Sequence, residues 1–122
     1  MDSNLKRITA AMGTAALFAT PLMTAAPAAA AEREFRYGGA EIDYEVEKDD
    51  GRFEVEVDVD GKRNDRWRVT LWHDGKRYHH KVHRGDVDIE KKRGNTKGKD
   101  VFKLRVKKIG GPKAVTRTIT LR

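Results

Sequence analysis

The residues best suited to chemistry in this chain lie around Trp72, an aromatic side chain among cations. Trp72 falls between the apolar positions of its predicted strand, so it is expected to point away from the core, beside Arg77 and within reach of Arg68 and Lys81. Such a ring can stack on a sugar or a base while the cations hold phosphate or carboxylate groups. Alternatively, Trp72 makes a cation–π pair with Arg77 that only covers the sheet.

The histidines form a second candidate group, which comprises His73, His79, His80 and His83. Alternation places His79 and His80 on opposite faces of one strand and separates His79 from His83 by about 13 Å, too far for a shared ion. We therefore predict neither a metal site nor a cofactor. His80 is expected to be partly buried near Val69.

Catalytic groups are scarce. Ser3 is the only serine, cysteine is absent, and no histidine lies in a recognisable catalytic triad or metal motif. The segments 49–51 and 58–61 are rich in Asp and Gly, but they lack the spaced ligands and closing glutamate of a calcium loop. The sequence therefore predicts a protein that is not an enzyme.

Residues 1–31 have the composition of a secretory signal peptide. Lys6 and Arg7 precede a modestly apolar stretch and an Ala-rich end, and we expect cleavage after Ala31. The stretch contains Gly13 and Pro21 and falls short of the roughly 20 strongly apolar residues that a membrane span needs. We expect a secreted or cell-surface protein, of bacterial type judging by the Ala-rich leader, with a single domain at 32–122.

The elements that must position these groups are strands, because apolar and polar residues alternate with a period of two and no stretch sustains a helical period. Asp74-Gly75 predicts a tight hairpin in which Trp72 faces Arg77 and Leu71 faces Tyr78. Segment 91–99 is expected to be a mobile loop. The predicted strands are 41–47, 53–60, 66–73, 76–83, 86–90, 101–108 and 114–121.

Four segments resemble strands of the immunoglobulin-like superfamily. Residues 55–61 (Val-x-Val-x-Val-x-Gly) resemble strand B, 69–76 strand C with its hairpin, 85–89 strand E, and 100–104 (Asp-x-Phe-x-Leu) the strand F motif. The resemblance implies a small, two-sheet antiparallel β-sandwich, and a fibronectin type III-like variant fits equally well.

The sequence also departs from that family. Val57 and Leu104 stand where its bridging cysteines would be, Leu71 replaces its core tryptophan, and Phe102 replaces its corner tyrosine. The core must therefore form without a cross-link that typically contributes about 2 to 4 kcal/mol. The resemblance concerns architecture and implies no activity.

The implied topology separates the charges. Residues 41–60 contain ten acidic and two basic residues, whereas residues 61–122 contain six acidic and twenty basic residues. One outer face is predicted to display Glu41, Asp43, Glu45, Glu47, Glu54, Glu56, Asp58, Asp60, Asp86, Asp88 and Glu90. The other is predicted to display Arg66, Arg68, Thr70, Trp72, Arg77, His79, Lys81, Lys103, Arg105 and Lys107.

These faces favour a secreted, non-catalytic binding module for an anionic partner such as a wall polymer, an acidic polysaccharide or a nucleic acid. The predicted ligand-binding residues are Trp72, Arg66, Arg68, Arg77, Lys81, Lys103, Arg105 and Lys107. The alternative is a structural, self-associating surface protein in which the acidic face of one copy pairs with the basic face of another. In a third interpretation, the outward charges serve only solubility and protect the strand edges.

Overall fold

The computed structural model describes residues 30–122, so the expected leader lies outside the described residues apart from Ala30 and Ala31. The described part contains eight strands and no helix. The strands are β1 (Ala30–Tyr37), β2 (Ala40–Asp49), β3 (Arg52–Val59), β4 (Arg66–His73), β5 (Lys76–Arg84), β6 (Val87–Gly94), β7 (Asp100–Lys108) and β8 (Val115–Leu121).

The strands form two four-stranded antiparallel sheets that pack as a sandwich. One sheet has the order β1-β2-β3-β6 and the other β5-β4-β7-β8. This confirms the predicted all-β, two-sheet fold and the predicted division of strands between the sheets. The arrangement is compatible with an immunoglobulin-like sandwich.

The core lies between the sheets and is entirely apolar at the positions where the resembling family has its cysteines. Val57 and Leu104 are fully buried, as are Leu71 and Phe102. Phe53 from the first sheet meets Phe102 from the second edge to face, with 5.0 Å between ring centroids. Apolar contacts between the two sheets thus occupy the space of the missing cross-link.

Two strand segments were not predicted, because charged residues occupy their inward positions. β1 pairs with β2 over its whole length, and Arg33 stands opposite the buried Tyr44. β6 extends into the segment that was expected to be a loop and ends at Gly94. Its Arg93 stacks on the Tyr78 ring, with the guanidinium 4.3 Å from the ring centroid. At the edge of a sheet, a long basic side chain covers apolar surface with its stem while its head stays near water.

The β4–β5 hairpin has the predicted turn but a different register beyond it. Asp74 and Gly75 have positive φ of 50° and 84°, as a type I′ turn requires, and Trp72 pairs with Arg77 as predicted. A β-bulge between Leu71 and Trp72 then makes Leu71 pair with His79 instead of Tyr78. Every later residue of β5 is therefore displaced by one position.

This displacement overturns several predicted side-chain directions. His79, Lys81 and His83 pair with the inward-facing Leu71, Val69 and Trp67, so they lie on the inner side of β5. His80 and Val82 were predicted to point inward, but both are exposed on the outer side, and Val82 is 49% exposed.

Candidate ligand-binding face

The outward side of the sheet β5-β4-β7-β8, which we call the basic face, carries cations from three adjacent strands. Cross-strand pairing places Lys103 beside Trp72, Arg105 beside Thr70, and Lys107 beside Arg68. No Asp or Glu occupies an outward strand position on this face within the described residues, and none of its Arg or Lys side chains forms an ion pair there. Its basic residues are Arg66, Arg68, Arg77, Arg84, Lys103, Arg105 and Lys107.

Trp72 lies at the rim of a shallow depression on this face. Its ring is partly exposed, and the Lys103 ammonium lies 4.7 Å from the ring centroid. The cation–π partner is therefore Lys103, on β7, and not Arg77. The depression has a volume of about 540 Å³ and is lined by Trp72, Lys103, Arg105, Lys113, Ala114 and Thr116.

The structure assembles most of the predicted residues, with one loss and one addition. Arg66, Arg68, Arg77, Lys103, Arg105, Lys107 and Trp72 share the basic face. The predicted position of Lys81 on this face is wrong, because the bulge turns it to the inner side beside Val69. Arg84 takes a place on the face opposite Arg66. A regular hairpin register places Arg84 on the inner side, so only knowledge of the bulge could have found it.

The Lys107 side chain is held in place at one end of the face. Its ammonium donates hydrogen bonds to the carbonyl oxygens of Gly111 and Pro112, at 2.9 and 2.7 Å. Tyr37 of β1 donates to the same Pro112 carbonyl at 2.9 Å and accepts from the Lys108 backbone N–H at 3.0 Å. Lys107 therefore contributes a fixed charge, whereas Lys103 and Arg105 are exposed beside the depression.

The outward side of the other sheet, which we call the acidic face, has the opposite charge. Pairing aligns two complete rows of carboxylates across its four strands. One row is Glu32, Glu45, Glu56 and Glu90, and the other is Glu34, Asp43, Asp58 and Asp88. Partial burial, followed by the charges of Asp58 and Glu45, raises the pKa of Glu56 above its usual value.

A buried polar cluster lies at the end of the sandwich near the β4–β5 turn. His73 and Asp100 form a 2.8 Å contact between Nε2 and Oδ1, and Thr96 donates to the same oxygen from both its backbone N–H and its hydroxyl. Burial alone would raise the pKa of Asp100, but the hydrogen bonds from Thr96 and His73 lower it overall. Asp74 accepts from the Val101 backbone N–H at 2.8 Å.

This cluster contains residue types that can ligate a metal, but their side chains are engaged in hydrogen bonds that join two segments of the chain. The Arg93 guanidinium donates to His73 Nδ1 at 3.4 Å, so the imidazole proton belongs on Nε2, where it is donated to Asp100. His73, Asp74 and Asp100 thus tie the hairpin turn to the start of β7. This cluster could not be recognised in the sequence because 25 residues lie between Asp74 and Asp100.

The two inward histidines of β5 meet despite their separation along the strand. His79 Nε2 and His83 Nε2 are 3.0 Å apart, and the two ring planes are nearly parallel, with their centroids 5.2 Å apart. The expectation that these residues lie too far apart to share an ion is therefore wrong. His80 points to the side of the strand opposite His79 and is exposed there, not partly buried near Val69 as predicted; its Nδ1 lies 2.9 Å from the Thr70 hydroxyl.

In comparisons with known proteins, the chain matches no family model, no curated protein and no solved structure. The described residues include no helix that is long and apolar enough to cross a membrane.

Proposed function

We propose that this chain is an exported, non-catalytic β-sandwich that binds an anionic polymer through its basic face. The observation that carries the proposal is the depression beside Trp72, where a partly exposed aromatic ring meets Lys103, Arg105 and Lys113. A wall polymer, an acidic polysaccharide or an extracellular nucleic acid would each supply repeated negative charges on an extended chain.

The spacing of the cations suits a repeating ligand better than a single small anion. Neighbouring strands lie about 4.8 Å apart, and outward side chains recur about every 7 Å along each strand. Arg66 and Arg68 on β4 and Lys103 and Arg105 on β7 therefore form a grid of positive charge. A flexible polyanion can neutralise several of these cations at once, and its affinity should fall steeply with salt.

The strand order supports an immunoglobulin-like assignment of the fold. With β3 taken as strand B, the sheets correspond to A-B-E and C′-C-F-G, and β1 adds a further edge strand beside A. In this order the basic face is the outer side of the C′-C-F-G sheet. We propose this kinship for the architecture, and the binding function rests on the side chains alone.

The proposal is tested by measuring how Trp72→Ala changes binding to two polyanions. Single-stranded DNA offers bases for stacking, whereas inorganic polyphosphate offers charge without rings. We expect Trp72→Ala to weaken DNA binding roughly tenfold, since stacking on one base contributes about 1 to 3 kcal/mol. Polyphosphate binding should change little.

The matched variant for charge is the double substitution Lys103→Ala and Arg105→Ala, which should weaken binding to both probes. A neutral control, Thr118→Ala, lies beside Lys103 on the same face and should behave as the unchanged protein. The proposal fails if neither polyanion binds, or if the double substitution has no effect on either.

The acidic face favours a second candidate function, self-association. Its two carboxylate rows and the cations of the basic face lie on opposite outer sides of one sandwich. A contact between an acidic face and a basic face would therefore leave one face free on each copy, so assembly would continue as an open stack. Sedimentation velocity at low and high salt tests this. Oligomers that grow with concentration and dissolve in salt support stacking, whereas a monomer at low salt excludes it.

A further inference from the structure

The β-bulge in the β4–β5 hairpin has a chemical consequence on the inner side of β5. It turns both His79 and His83 from the outer to the inner side of the strand, at the edge of the sheet, where their Nε2 atoms lie 3.0 Å apart. His79 is almost fully buried, whereas His83 is partly exposed. The pair is therefore anchored on one side and open to solvent on the other.

We propose that His79 and His83 form a binding site for a divalent transition-metal ion, with the two Nε2 atoms as ligands. Imidazole is the side chain that Cu²⁺, Ni²⁺ and Zn²⁺ all accept, whereas Mg²⁺ and Ca²⁺ prefer oxygen ligands. Water would complete the coordination on the exposed side, next to His83.

The distance between the two nitrogens suits such an ion. Metal–imidazole bonds of about 2.0 to 2.1 Å place two ligand nitrogens about 2.8 to 3.0 Å apart at a right angle and about 3.3 to 3.4 Å apart at a tetrahedral angle. The observed separation of 3.0 Å lies within that range. The two ring planes are nearly parallel and their nitrogens face each other. Binding therefore requires that the shared proton move to Nδ1 of its own ring, and that the side chains rotate until both Nε2 lone pairs point at the ion.

The surroundings favour the neutral form of both rings, which is the form that binds metal. Burial, followed by the charges of His83, Lys91 and Lys81, lowers the pKa of His79 to about 4. Burial and the Lys81 charge also lower the pKa of His83. Protons therefore compete weakly for these nitrogens at pH 7.

The same surroundings limit the affinity. Lys81 and the neighbouring His80 belong to β5, and Lys91 reaches the pair from β6 in the other sheet. These positive charges repel a divalent ion, and no carboxylate acts on the His79 pKa to offset them. We expect binding that is clearly weaker than that of a structural zinc site and strongest for Cu²⁺, in the order that these metals follow at nitrogen ligands.

The other histidine cluster does not offer the same opportunity. His73 Nε2 is committed to Asp100 because Nδ1 accepts from Arg93, and a metal would have to displace this network beside a guanidinium. The two clusters can be distinguished because no residue of one contacts the other in the hydrogen bonds described above.

The experiment is calorimetric titration of the untagged chain with Ni²⁺ and with Cu²⁺ at pH 7, with Mg²⁺ as a negative control. His83→Gln should lower the affinity at least tenfold, because it removes one of two ligands from a partly exposed position where substitution leaves the core intact. His80→Gln is the matched control, since it changes a histidine of the same strand on the opposite side. His79→Gln should reproduce the loss seen with His83→Gln.

Ring nitrogen resonances of the histidines provide a second measurement that is independent of stability. On addition of Zn²⁺, the Nε2 signals of His79 and His83 should shift together while that of His73 stays in place. Equal affinity in the protein with His83→Gln, a zinc-dependent shift at His73 alone, or no binding of Ni²⁺ or Cu²⁺ at millimolar concentration would each overturn the proposal.

Discussion

The two outer faces of this sandwich carry opposite charge, but they are constructed differently. The acidic face has two unbroken rows of four carboxylates, one from each strand of its sheet. On the basic face, Thr70 and Trp72 interrupt the cations of β4, and Thr116 and Thr118 occupy outward positions on β8. Charge is therefore denser on the acidic face, whereas the aromatic ring and its depression belong to the basic face.

The difference separates charge density from the features on which the binding proposal rests, because the ring and the depression lie on the less densely charged face. Like charges directly opposite across strands destabilise a sheet by roughly 0.2 to 1 kcal/mol per pair, so the acidic rows oppose folding. The basic face relieves this repulsion with threonines and with the cation–π contact between Lys103 and Trp72. The acidic face would repel a polyanion and the basic face would attract it, so the polyanion would bind to the basic face only.

The largest expected effect comes from removing the basic grid. We predict that the combined substitution of Arg66, Arg68, Lys103 and Arg105 by Ala reduces polyphosphate affinity more than about 100-fold at low salt. The slope of the logarithm of affinity against the logarithm of salt concentration should fall by about three units, since roughly 0.7 to 0.9 counterions are released per neutralised charge. Fluorescence anisotropy across a salt series measures both quantities.

The corresponding change on the acidic face is the control for this prediction. Replacing Glu45, Glu54, Glu56 and Glu90 with Gln alters the net charge by the same number of units in the opposite direction. It should strengthen binding only modestly and leave the salt slope unchanged. If the salt slope changes equally in both variants, the polymer does not distinguish the two faces, and the proposed binding to the basic face is wrong.

A smaller effect on polyanion affinity is expected for two cations of β5 that point to opposite sides of the sheet. Arg84 lies on the basic face opposite Arg66, whereas Lys81 lies on the inner side beside Val69. Arg84→Ala should weaken polyanion binding roughly threefold to fivefold, because one cation at the surface contributes about 1 kcal/mol or less. Lys81→Ala removes the same charge and should have little effect. The opposite ranking would indicate that the regular hairpin register, without the bulge, describes the protein in solution.

The fold could be predicted from the sequence wherever apolar residues alternate without interruption. Strands β2, β3, β4 and β7 have apolar inward residues such as Tyr44, Val57, Val69 and Leu104, and their division between the sheets is as predicted. The same alternation placed Trp72, Lys103 and Arg105 on one face. Burial on one side of a sheet specifies register strongly, which explains this success.

Prediction failed at the edges, where burial is weaker. β1 and the second half of β6 escaped notice because Arg33 and Arg93 stand at inward positions. Lys81 and His79 were assigned to the wrong side because a single bulge residue reverses the rest of an edge strand. The His79–His83 contact depends on side chains that lean toward each other along the strand, which strand spacing alone does not predict.

The smallest predicted effect is on stability, and it tests the repulsion within the acidic face. The pKa of Glu56 is raised in the folded state, so ionisation of this carboxyl opposes folding. The protonated carboxyl favours the folded state at pH values below the unfolded pKa, and this contribution to stability is lost as pH rises through the folded pKa. Glu56→Gln should therefore raise the melting temperature at pH 7 by about 2 to 4 °C, for a gain of about 0.5 kcal/mol. The gain should vanish near pH 3.5, where the carboxyl is protonated.

Glu54→Gln is the matched control on the same strand and face, because Glu54 pairs with Lys92 and its charge is partly compensated. Equal stabilisation by both substitutions at pH 7 would mean that the net charge of the face, and not the row through Glu56, opposes folding.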